Sequence, residues 1–327
     1  RRMRCVLLMT WLLFGFDLAY HKAQHGTQVT WIGYDLELHD RFIKASIKAA
    51  FMKDFKQATD EMMKGNIIKT KALRKYTGQA NHVAGLLYIW RPFLEPLWAA
   101  LHPKTGKKSR APPHHIWKKQ ILTSLLWLQL FLRGHLGPLS REWHYESFAA
   151  NVSDVLFLLD ASPWGMGGIL VVNGRIVTYF RSLLSHSDEL IHKHKIGCNK
   201  GQQTWESLCV LIAVRCWAKF WVNTKTTITL KSDNMTALAL AAKLKSSVSP
   251  LISKELALAF SASCFQPRFI EHIPGVFNVS ADALSRLEDP CGTYVVPGYL
   301  RSEDRCTPAV RSRSWYCALP RKRGRGM

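Results

Sequence analysis

The sequence predicts an α/β chain: a C-terminal unit with a five-stranded mixed sheet flanked by helices, preceded by a mainly helical region. Two observations carry this. Between residues 155 and 180, three short apolar runs are separated by turn signals, the pattern of an antiparallel meander. From residue 202 onward, helix-spaced apolar positions alternate with two further strand-like runs, one closing near 230 and one at 272, which brings the strand count to five.

Taken in order, Val155 to Leu159 is long enough for a buried strand and delivers Asp160 at its end. Gly165, Gly167 and Gly168 let the backbone bend before a second strand, Ile169 to Val172. Asn173-Gly174 is a hairpin signal that leads into a third strand, Ile176 to Phe180. In QQTWESLCVLIAVRCW, 202 to 217, Trp205, Leu208, Cys209, Ile212 and Cys216 recur at helical spacing and place Glu206 in the first turn. Thr226 to Leu230 alternates as a strand and hands over at Asp233 to a helix rich in Ala and Leu. The last strand ends at His272, the chain turns through Pro274 and Gly275, and a helix starts near Ser280 with Asp282 in its first turn.

Asp160, Glu206, Asp233 and Asp282 thus each stand at a strand end or a helix start around one point. Any one alone suits a turn or a helix cap; the set reads as a two-metal nuclease site. Hard cations such as Mg²⁺ prefer oxygen ligands, and two of them about 4 Å apart can activate a water and stabilise the leaving oxygen of a phosphodiester.

The order strand Asp, helix Glu, strand-end Asp, helix-start Asp resembles the ribonuclease H domain of reverse transcriptases over about residues 152–289. The most specific stretch is HIPGVFNVSADALSR, 272 to 286, which is similar to the last-strand-to-last-helix passage of retrotransposon ribonucleases H. The resemblance implies a sheet in ribonuclease H order and metal-dependent cleavage of the RNA strand of RNA–DNA hybrids. It also implies two Mg²⁺ ions, for which Mn²⁺ can substitute: Asp160 would bridge both, Glu206 and Asp233 would complete one site, and Asp282 the other. His272, ten residues before Asp282, would assist product release or proton transfer; otherwise it is a loop histidine satisfied by local hydrogen bonds.

A second resemblance lies upstream. WLLFGFDLAYHKAQHGTQVTWIG, 11 to 33, resembles the end of a reverse transcriptase palm, with a helix, a turn bearing Lys22 and a hairpin ending Trp31-Ile32-Gly33. By that likeness Lys22 would lie near the incoming nucleotide and Trp31 and Gly33 would hold the primer of a template-primer; Asn234 and Asn278 are further expected nucleic-acid contacts in the nuclease unit. Residues 41 to 101 read as two or three helices, and GLLYIWRPFLEPLWAAL, 85 to 101, resembles the passage from thumb to connection, although such an aromatic stripe equally suits a core. A polar loop is expected from His102 to His115, a helix from Ile116 to Arg133 and a linker from Gly134 to Asn151. The expected organisation is therefore 1–40 palm end, 41–150 thumb and connection, 151–289 nuclease, and 290–327 basic disordered tail.

Charge agrees with a nucleic-acid partner. The net charge is +22, yet residues 151–289 hold 14 Lys and Arg against 11 Asp and Glu. The basic excess lies in the flanks, where it can neutralise phosphates. Eight cysteines show no CxxC pair and point to a reducing compartment. His186, His192, His194 and Cys198 are a loose ligand-like cluster without the paired spacing of zinc sites. Arg1, Arg2 and Arg4 ahead of apolar Cys5 to Phe16 imitate a signal peptide, but no small-residue cleavage site follows. The expectation is an intracellular chain, cytoplasmic or nuclear, not secreted and not in a membrane, with other parts of a retroelement polyprotein as possible partners. No Asp-Asp pair occurs, so polymerase activity is not expected. Two alternatives stay open: a non-catalytic nucleic-acid-binding remnant, and an integrase or transposase-type nuclease.

Overall fold

The structure, a computed structural model, describes residues 9–11, 13–15, 24–102, 111–145, 154–221, 226–246, 248–262 and 265–319. The Lys22 turn, most of the loop expected after His102, Cys5, Cys264 and the RKRGR stretch near the chain end lie outside them.

The N-terminal half contains β1 (Gln28–Trp31), β2 (Tyr34–Leu38), β3 (Phe42–Ile47), α1 (Ala49–Lys64), β4 (Ile67–Lys69), α2 (Thr70–Leu86), α3 (Arg91–Leu101), β5 (His115–Trp117), α4 (Leu122–Leu132) and β6 (Ser140–His144). Strands β1 and β2 form a hairpin whose turn residues, Ile32 and Gly33, have φ of 49° and 82°, as a tight two-residue hairpin requires. Trp31-Ile32-Gly33 is therefore the hairpin's tip and not its end. The hairpin continues through β3 to β6 in an antiparallel sheet of order β1-β2-β3-β6. The sheet crosses residue 40, where a boundary was expected, and within the mainly helical 41–150 the strands β3 and β6 are short segments that a partner from far along the chain stabilises.

The aromatic stripe is core at Trp90 and Phe93 and exposed at Trp98. Trp90 and Phe93 are fully buried, Trp90 stacks on Phe131 at 5.1 Å and Phe55 on Tyr76 at 5.0 Å. Buried residues recur every three or four positions along α2 (Leu73, Tyr76, Ala80, Val83) and α3 (Phe93, Leu97, Leu101), and burial of that face of each helix is the main source of helix stability here.

The C-terminal half contains β7 (Val155–Ala161), β8 (Gly165–Val172), β9 (Arg175–Leu183), α5 (His186–His192), α6 (Gln202–Trp217), β10 (Thr226–Ser232), α7 (Met235–Lys243), α8 (Pro250–Ala262), β11 (Phe265–His272) and α9 (Val279–Ser285). The five-stranded mixed sheet has the order β11-β10-β7-β8-β9, with β10 parallel to β7 and β11 and the meander antiparallel. Helices lie on both faces. Helix α6 sets Trp217 against Phe157 and Phe180, while α9 sets Leu284 against Ile169 and Tyr179 on the other side. Helix α3 packs on α8, so one apolar core runs through both halves.

The Asn173-Gly174 turn has φ of 51° and 74°, as its sequence signal requires. The glycines before it are a correction. Gly165, Gly167 and Gly168 lie inside β8 rather than at a bend. A Cβ on Gly167 would sit 2.5 Å from the Ala281 carbonyl, and one on Gly168 would sit 2.4 Å from the Phe180 ring. They are glycines because α9 and Phe180 press against the strand.

Residues 290–319 are a second correction, since they form a packed strap and not a disordered tail. Cys306 N donates to Tyr179 O at 2.7 Å and Thr178 Oγ1 to Asp304 O at 2.6 Å, along β9. Arg311 is buried and bidentate on buried Asp188, at 2.9 and 2.8 Å. Tyr316 OH meets His192 Nε2 at 2.9 Å, and Ala318 N donates to Glu255 at 2.6 Å. These polar anchors have no sequence period, which is why the strap reads as a tail. Removing one partner of a buried pair strands the other charge, at a cost of about 3–5 kcal/mol. Arg311→Ala should lower the stability measured by urea unfolding by that order; a change below about 1 kcal/mol, the scale of a surface pair, would show the strap to be loosely attached.

Candidate metal centre

Strand β7 alternates outward and inward until its last two residues, Asp160 and Ala161, which are both buried under α6 and α9. Asp160 is thus inside the strand, one residue short of its end. Helix α6 begins after a 3-10 turn at Asn199–Gly201, which puts Glu206 in its second turn instead of the first; it too is buried. Asp233 is exposed and stands between β10 and α7, as expected. Ligand atoms of Asp160, Glu206 and Asp233 all lie within 4.8 Å of one another.

Two of the three carboxylates are held by neighbouring donors. Ser285 Oγ donates to Asp160 Oδ2 at 2.6 Å, and the Cys209 thiol points to the Asp160 carbonyl at 3.3 Å. Gln202 Nε2 donates to Glu206 Oε1 at 2.9 Å and to Ala161 O at 2.5 Å. Gly275 gives Asp233 room, because a Cβ there would lie 3.2 Å from Asp233 Oδ2. Asp282 is in the first turn of α9 as expected. It stands outside the group of three and is paired with Arg286, Nε to Oδ1 at 2.5 Å.

Burial pushes the Asp160 carboxyl up to about 7; Ser285 and Arg286 oppose this, and Asp233 and Asp282 add to it. Burial also raises Glu206 well above the usual carboxylate range, with Asp160 and Asp233 adding to it. The donors that reach Asp160 and Glu206 are neutral: the Ser285 hydroxyl, the Gln202 amide and the Ala161 backbone. Two buried acids and a third beside them therefore lack positive charge at their centre, and an all-oxygen donor set of this kind fits a hard divalent cation.

The remaining expected contacts fare differently. His272 ends β11 and is exposed. Trp31 is 63% exposed at the hairpin tip, and Gly33 packs against the His82 ring. Asn234 caps α7, its Oδ1 accepting from Thr236 and Ala237 N at 2.9 and 3.1 Å. Asn278 is buried with its amide donating to Leu159 O at 3.0 Å, so it braces α9 against β7 and presents nothing to a nucleic acid. The histidine cluster is dispersed: His192 bonds Tyr316 and His186 bonds Glu189. Among the described residues, the Asp160 group alone could hold a metal. Ser285, Gln202 and Arg286 were missed from sequence. Ser285 carried a signal, since it lies three residues after Asp282 and so shares its helix face.

No protein-family model and no curated protein sequence matches the chain. Among solved structures it is similar to RNase H1 of the halophilic archaeon Halobacterium salinarum, at 19% identity and TM-score 0.30, over 41% of this chain and 94% of that one. It is also similar to a foamy viral protease-reverse transcriptase in complex with double-stranded DNA, at 15% identity and TM-score 0.27, over 77% of this chain and 46% of that one. The chain thus spans less than half the length of that viral enzyme.

A proton held at Asp160 in the native state stabilises fully below its ordinary value of 3.8, and this is lost as pH rises through about 7. In chelator, the stability of the wild type relative to Asp160→Asn should therefore fall between about pH 4 and pH 7, and Mg²⁺ should stabilise the wild type most above about pH 7. Urea unfolding across pH checks this; a difference between the two proteins that does not change with pH would contradict it.

Proposed function

We propose that the chain is a metal-dependent endonuclease that cleaves the RNA strand of RNA–DNA hybrids, as part of a retrotransposon reverse transcriptase. The observation that carries this is the convergence of Asp160, Glu206 and Asp233 within 4.8 Å, on segments that resemble retroelement ribonucleases H in order and, at 272–286, in sequence. Two Mg²⁺ ions, or Mn²⁺ in their place, held by these three acids and Asp282, would supply an activated water and stabilise the leaving oxygen.

The chain's own residues prepare that site. Ser285 and Gln202 fix one oxygen each of Asp160 and Glu206, so the acids need not reorganise when ligands bind. Asp233 is exposed and open to substrate, and Arg286 orients Asp282. His272 is exposed at the adjoining strand end, where an imidazole could carry a proton to or from product. A hybrid differs from duplex DNA by its 2′-hydroxyls and groove shape, which is the basis for restricting cleavage to RNA. The basic flanks would hold the polyanion, and the exposed Trp31 tip suits contact with a template-primer. No helix among the described residues is long and apolar enough to cross a membrane. An intracellular site of action, cytoplasmic or nuclear, belongs to the same proposal, as do other polyprotein parts as partners.

Labelled hybrid, double-stranded RNA and double-stranded DNA, each incubated with the purified chain with and without Mg²⁺, test this. The RNA strand of the hybrid should be cut only with metal. Asp160→Asn or Asp233→Asn should lower the rate by several orders of magnitude while the circular dichroism spectrum is kept. Near-normal cleavage by either variant, or equal cutting of double-stranded DNA, would overturn the proposal.

A further inference from the structure

Two thiols distant in sequence meet where the strap crosses helix α6. Cys216, in the last turn of α6, and Cys306, on the strap beside β9, are 90 residues apart, and their sulfurs are 2.6 Å from each other. Unbonded thiols do not sit this close, whereas a disulfide needs only a small further approach. Neither position is free to drift. Cys306 N is fixed on Tyr179 O, and Arg215, the neighbour of Cys216, donates to Trp315 O at 2.9 Å and pairs with buried Glu255. Helix and strap are thus already held in register on both sides of the pair. Cys209 offers a contrast, being buried with its thiol donating to backbone carbonyls.

We infer that Cys216 and Cys306 are a disulfide-forming pair that fastens the C-terminal strap to helix α6. A low-molecular-weight disulfide, such as oxidised glutathione, is the electron acceptor. The half-buried Cys216 sulfur attacks it as thiolate and one glutathione thiolate leaves; Cys306 then displaces the second. One S–S bond forms in the protein as one breaks in the reagent, and the two thiol protons end on two glutathione molecules. The bond closes a long loop, which restricts the unfolded chain. It also ties down a strap whose Leu300 packs on Leu284 of α9, the helix bearing Asp282 and Ser285.

The test uses the full chain treated with oxidised glutathione, followed by alkylation of free thiols and digestion without reductant. Mass spectrometry should find the Cys216 and Cys306 peptides joined, and dithiothreitol should separate them. Thermal unfolding should show a midpoint raised by several degrees on oxidation, a rise lost in Cys216→Ser. Mapping of the wild type needs no variant to fold. Both cysteines alkylated after oxidation, pairing with other cysteines, or a cross-link without any rise in the midpoint would each overturn the inference.

Discussion

Like charges forced together out of water are the constraint on which the rest of the structure turns. Asp160 and Glu206 are buried and bring their oxygens within 4.8 Å of each other and of Asp233. Such a group gains nothing for folding without a cation, because burial and mutual repulsion both favour the neutral forms. The surrounding fold supplies what is needed to hold it: a central strand, a helix buried along nearly its whole length, and neutral donors from Ser285 and Gln202.

That requirement also accounts for the glycines of β8 and for the strap. Helix α9 can bring Ser285 onto Asp160 because Gly167 carries no side chain between helix and sheet. The strap adds Leu300 to the cluster that Leu284 of the same helix forms with Ile169 and Tyr179, and it is locked by Arg311 on Asp188. A polar site at the end of the sheet thus rests on packing that reaches from Gly167 to the strap.

Much of this was legible from residue order. Helix 202–217, the Asn173-Gly174 turn, the handover at Asp233 and the helix start around Asp282 follow from local rules of spacing, turn chemistry and capping, and the structure has them there. What failed depends on distant partners. Glycines signal a bend locally, yet at 165–168 their reason is the approach of α9. Strands β3 and β6 are too short to declare themselves without each other. The strap's anchors, from Thr178 to Ala318, have no period at all. Asn278 is expected from the sequence to be a nucleic-acid contact, and only the fold shows its amide spent on Leu159 O.

Proton release on metal binding measures the central claim most directly. If the three acids form a cation site in which buried Asp160 is pushed up to about 7, a divalent ion must displace a proton below that pH. Titration of Mn²⁺ into the chain at about pH 6, by calorimetry in buffers of different ionisation enthalpy, counts those protons. The account predicts net release that shrinks in Asp160→Asn. Tight binding with no proton released, or release unchanged in that variant, would contradict it.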